Sequence, residues 1–121
     1  MANELTVTGA LSYTNSAAPL YKALMSRSGT VDATGKKVSS GSWSVGASEE
    51  NLPKGDIGTI GFVILKNLHA TITATFGTVT SQLPITVKAG ESSGPFRIDA
   101  TNLIGKAASS TVEVEFLAIE S

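Results

Sequence analysis

Residues 55–77 read GDIGTIGFVILKNLHATITATFG, and their pattern decides the fold class. Across TIGFVILKN a period of two places Ile60, Phe62 and Ile64 on one side and Val63 and Leu65 on the other. A strand that is apolar on both faces is expected at the centre of a sheet. After a turn at Asn67-Leu68, Ile72, Ala74 and Phe76 share one side while Thr71, Thr73 and Thr75 share the other. That alternation describes a strand with one wet face.

The same logic extends in both directions. Leu5, Val7, Leu11 and Tyr13 alternate with polar residues, with Gly9 as the weak point of the strand. LYKALMSRSG, residues 20–29, suits one turn of helix as well as a strand. VDATGKK follows as a turn, and VSSGSWSVG sets Trp43 and Val45 on one side of a short strand. GASEENLPKGD, residues 46–56, reads as an exposed loop because it combines Pro53 and Gly55 with acidic side chains.

Downstream, Leu83, Ile85 and Val87 face inward, and Pro84 marks an edge position or a strand start because proline donates nothing to a ladder. Phe96 and Ile98 form a short strand, ATNLIGKAASS is a loop with apolar anchors at Leu103 and Ile104, and Val112, Val114 and Phe116 alternate with Glu113 and Glu115. About eight closely spaced strands predict an all-β, antiparallel sandwich or barrel. At 121 residues the chain is expected to be one domain, 1–121, with residues 1–5 available as a contact arm.

Composition narrows the function. The net charge is −1 and the nine basic residues are scattered, which argues against a phosphate-backbone footprint and so against nucleic acid. There is no cysteine, so disulfides, thiolate metal sites and cysteine nucleophiles are excluded. MANELTVTG has neither the basic nor the apolar region of a signal peptide, and FVIL is far shorter than the about 20 residues of a membrane helix. The expectation is a protein made in a cytoplasm, without a membrane partner.

No residue set reads as catalytic, metal-binding or cofactor-binding. His69 is the only histidine, and a metal site needs several converging ligands, so it is expected to be a turn or strand-start residue. Glu49-Glu50 and Glu113/Glu115 read as solvated charges rather than a facing carboxylate pair, and Asp32 and Asp56 as Asx-turn residues. Most of the seven aromatics, the four Phe and Trp43 among them, are expected in the core, and Tyr21 is the ring to look for at the surface.

The apolar outer positions are the candidate functional surface. Val63 and Leu65 lie opposite the inward set of their strand, and Leu117 and Ile119 lie opposite Val114 and Phe116. A sandwich exposes polar residues there, so these four mark either a subunit or partner contact or a surface covered by the ATNLIGKAA loop. A second candidate contact is the segment Met1, Ala2, Asn3, Glu4 and Leu5.

The order TVDATG, SVGASEENL, GDIGTIGFVILKNLHATITATFG, LPITVKAGESSGPFRI and terminal VEVEFLAIES resembles small virion proteins of tailed bacteriophages. The similarity spans roughly residues 30 to 120 and is one of strands and turns, without a chemical motif. His69 stands where that pattern more often has Asp. The resemblance implies a jelly-roll-like sandwich, made in the host cytoplasm and carried on the outer surface of the head as a capsid decoration or cement protein. The implied partners are the major capsid protein and further copies of the chain, as in a trimer. A head-fibre base or tail-associated adaptor is the alternative within that class. A carbohydrate-binding module using Tyr21 or Trp43 is the alternative outside it.

Overall fold

The computed structural model describes residues 5–15, 21–31 and 37–121, with the backbone alone described for Leu5, 11–15 and 21–31. It is all-β and separates into two compact units, Met1–Ala33 and Thr34–Ser121. The expectation of one sandwich over 1–121 therefore narrows, because both four-stranded sheets are built from the second unit.

The first unit is a hairpin of β1 (Leu5–Asn15) and β2 (Tyr21–Val31), paired antiparallel without a break from Leu5 opposite Val31 to Asn15 opposite Tyr21. YKALMSRSG, residues 21–29, is thus strand: the partner's ladder decides where local pattern allowed helix or strand. Met1 to Glu4 and Asp32 lie outside the described residues.

The second unit is a jelly roll. Its eight strands are β3 (Val38–Val45), β4 (Glu50–Asn51), β5 (Ile60–Asn67), β6 (Ala74–Gly77), β7 (Ile85–Val87), β8 (Phe96–Ala100), β9 (Ile104–Ala107) and β10 (Val112–Glu120). They pair as a nested ribbon, β3 with β10, β4 with β9, β5 with β8 and β6 with β7. Two further ladders, β10 with β5 and β9 with β6, roll that ribbon into sheets ordered β3-β10-β5-β8 and β4-β9-β6-β7. This is the double-sheet, all-antiparallel arrangement of jelly rolls. As expected, β5 is central and Pro84 immediately precedes an edge strand.

The inner faces meet in one apolar core. Trp43 of the first sheet packs its ring 5.6 Å from that of Phe76 in the second, tilted by 52°. Gly105 leaves room for that pair, since a Cβ there would lie 2.6 Å from Trp43 Cη2 and 2.9 Å from Phe76 Cε1. The segment 46–56 is more than an exposed loop: it contains β4, and Leu52 and nearby Ile57 are buried. ATNLIGKAASS is likewise more than a loop, because it contributes Leu103 to the core and β9 to the second sheet.

Candidate functional site

The outer face of the β3-β10-β5-β8 sheet is set by one irregularity. Ile60 and Val63 are three residues apart, an odd spacing that an unbroken strand would split between its faces, yet both are buried. Between them the register shifts: Ile119 of β10 stands opposite Phe62, and the next residue, Glu120, stands opposite Ile60. Gly61 is the extra residue of a β-bulge, and one extra residue reverses every later side chain. A Cβ at Gly61 would lie 2.9 Å from the Cα of Ser121, so a glycine lets the bulge sit against the end of β10.

The bulge corrects half of the expected interface. Val63 and Leu65 are 2% and 1% exposed and belong to the core, whereas Phe62 and Ile64 take the outer face. Phe62 therefore departs from the expectation that all four Phe are internal. The β10 pair is placed as expected: Leu117 is 39% exposed, and Ile119, partly buried, alternates with buried Ala118. ATNLIGKAA cannot be the cover for this face, because β9 belongs to the opposite sheet. Leu5 opens β1, and the rest of the proposed contact segment lies outside the described residues.

Cross-strand register arranges this face in bands. Leu117 stands between Ser40 and Ile64, and Ile119 stands between Val38 and Phe62. Val38 is 61% exposed. Arg97 of β8 pairs with Phe62 and stacks its guanidinium 4.4 Å from the ring centroid, while a 2.9 Å ion pair with Asp99 holds it in position. Toward the other end the face becomes polar, with Glu115 between Ser42 and Lys66. A groove of about 770 Å³ follows the transition, lined by Ser40, Ser42, Ile64, Lys66, Ser92 and Leu117 among others.

Beyond the groove Glu113 accepts hydrogen bonds from Ser42 Oγ, at 2.6 Å, and from Ser44 Oγ. Those two hydroxyls stabilise the carboxylate and lower its pKa below the ordinary glutamate value of 4.5. The apolar band and the Ser/Glu band differ in chemistry, which suits the face to recognition by shape and a few charges.

His69 closes the turn after β5. Its Nδ1 accepts the backbone N–H groups of Thr71 and Ile72, each at 3.0 Å, and its own N–H donates to Asn67 Oδ1 at 2.9 Å. Asn67, fully buried, donates through Nδ2 to the carbonyls of Ile72 and Val87 at 2.8 and 3.0 Å. The pair fixes the crossing from one sheet to the other, a structural role. Trp43, considered as a sugar platform, is 4% exposed and faces the core.

Phe62, Ile64 and Arg97 are the site residues that strand parity missed. The available signal was Gly61, since an isolated glycine within a strand pattern marks a bulge. No protein-family model, curated protein or solved structure matches this chain.

Proposed function

We propose that the chain is a structural protein of a tailed-phage particle, a decoration or cement protein that binds the assembled head through its hairpin and major capsid protein partners. The hairpin is the observation that supports this reading most. It pairs eleven residues with eleven, about 36 Å of ribbon at ~3.3 Å per residue, and among the described residues neither strand pairs with a third. Its register joins Leu5 to Val31, Leu11 to Met25 and Tyr13 to Ala23 at one parity, and Thr6 to Thr30 and Thr8 to Ser28 at the other. Val7 is partly buried, whereas Thr6 and Thr8 are exposed.

An isolated two-stranded ribbon is marginal in water, and free strand edges accept further strands. A long ribbon with one mostly apolar parity, in which Gly9 stands opposite Arg27, is thus suited to a partner surface. A protein that binds the assembled shell and not its separated subunits stabilises the shell by mass action, about 2.7 kcal/mol per site at a hundredfold excess over Kd. Where it bridges two capsomers, the second contact becomes intramolecular and avidity rises.

Copy number on purified particles carrying this chain tests the reading. Decoration requires a stoichiometry that follows the repeat of the shell. A few copies per particle would overturn it in favour of a head-fibre base or tail-associated adaptor. On particles stripped of the protein, Val7→Asp with Leu11→Asp should abolish rebinding, while Thr6→Asp with Thr8→Asp should leave it intact. Equal effects of the two pairs would remove the hairpin from the contact.

A further inference from the structure

We infer that the outer face of the β3-β10-β5-β8 sheet is a self-complementary surface that takes a second copy of this chain, face to face, about a two-fold axis parallel to the strands. The register lays the face out in rows across the sheet. The first row runs Val38, Ile119, Phe62, Arg97. The second holds Leu117 between Ser40 and Ile64, and the third holds Glu115 and Lys66 side by side.

A two-fold axis running between β10 and β5 turns one sheet over onto its copy, preserving position along the strands and reversing their order across the sheet. Ile119 then faces the partner's Phe62 and Leu117 faces the partner's Ile64, so the apolar centres of the rows meet, while Val38 at one edge faces the partner's Arg97. Glu115 faces the partner's Lys66 and Lys66 faces the partner's Glu115. With the cross-strand neighbours already present in each copy, these four charges form a square of alternating sign. An in-plane axis perpendicular to the strands would instead bring the Ile119 row toward the Glu113 end, setting hydrocarbon against carboxylate. A perpendicular axis avoids that only by matching the Ile119 row to the Leu117 row alone, so the axis parallel to the strands is the one that uses all three rows.

The outer face of the other sheet sharpens the choice. There the row Lys106, Thr75, Thr86 is polar throughout, so nothing comparable recommends it for burial. Three rows across four strands span roughly 20 Å by 20 Å. That is roughly 400 Å² per partner, about 800 Å² in total, below the size of stable interfaces, so a weak, reversible dimer is expected. Packed sheets rotate about 30° relative to each other, which keeps the match tightest at the central β10 and β5 pair.

Sedimentation equilibrium on the purified full chain, with no phage particle present, tests this separately from head binding. The wild-type chain should show a reversible monomer–dimer equilibrium. Glu115→Lys and Lys66→Glu should each weaken it by about tenfold or more, since like charges then meet. An equimolar mixture of the two variants should dimerise again, because each misplaced charge finds its opposite across the axis. Leu117→Asp should leave a monomer whose thermal stability matches that of the wild-type chain at a concentration where the wild type too is monomeric. A chain that is monomeric throughout the micromolar to millimolar range, a trimer, or a mixture that fails to recover the dimer would overturn the inference. So would a fall in thermal stability with Leu117→Asp at that monomeric concentration, since the face would then be covered within one chain.

Discussion

The two sheets of the jelly roll have the same kind of inner face and different outer ones. Inside, Val63, Leu65, Val114 and Phe116 of one sheet oppose Ala74, Phe76, Val87 and Ala107 of the other. Outside, the second sheet exposes Thr86 and Lys106 beside the partly buried Thr75 and Ile104, while the first carries Phe62, Ile64, Leu117 and Ile119 beside Val38. The core requires only one apolar face from each sheet. The sandwich does not require a second apolar face, which is what makes this one a candidate contact surface.

The sharpest way to break that contrast is to truncate adjacent residues of β5. Leu65→Ala removes a fully buried side chain and is expected to cost 2 to 5 kcal/mol, on the order measured for large core truncations. Ile64→Ala, one residue away on the outer face, should cost about 1 kcal/mol or less. Urea denaturation of both variants at a concentration where the chain is monomeric checks the difference. The reverse order would place the bulge elsewhere and restore the uninterrupted alternation.

A smaller effect follows from rewriting the first outer face in the chemistry of the second. Ile64→Thr combined with Leu117→Thr should leave monomer stability within about 1 kcal/mol of wild type. Binding of an environment-sensitive apolar dye to the folded chain should fall at the same time. If stability collapsed, the two outer faces would be alike in being structural.

The smallest effect concerns the polar end of the face. Glu113 has a folded-state pKa lowered, chiefly by Ser42 and then by Ser44. A lowered carboxylate pKa contributes stability that is present above the unfolded value of about 4.5 and is lost as pH falls through the folded value. Glu113→Gln should therefore flatten the decline in thermal stability below about pH 4.5, with little change at neutral pH. The group is fully exposed, so the shift should be modest, and an unchanged acid limb would mean that solvent screens the two serine bonds.

Much of the strand content was legible because alternation is a local property. Ile72, Ala74 and Phe76 face inward as their spacing predicts, and so do Val112, Val114 and Phe116. Pro84 marks a strand start at an edge. Two-residue β4 was illegible, since so short a strand has no period of its own and exists only through β9. YKALMSRSG was undecided for a related reason: β1 supplies the pairings that make it part of an eleven-residue strand.

On the candidate site the local signal failed at Gly61. From Ile60 the alternation assigns Phe62 and Ile64 inward, and only the ladder with β10 contains the extra residue that sends them outward. Leu117 and Ile119 were read correctly because β10 runs unbroken from Val112 to Ile119 against β3. By itself the sequence determined an all-β chain, the inward residues of its regular strands and a turn position for its single histidine. Tertiary structure alone decided the nested pairing of β3 to β10, the separation of the hairpin as its own unit and the side of β5 that faces out. The reason is physical: alternation is encoded residue by residue, whereas a bulge and a strand's partner are fixed by hydrogen bonds to chain far away in sequence.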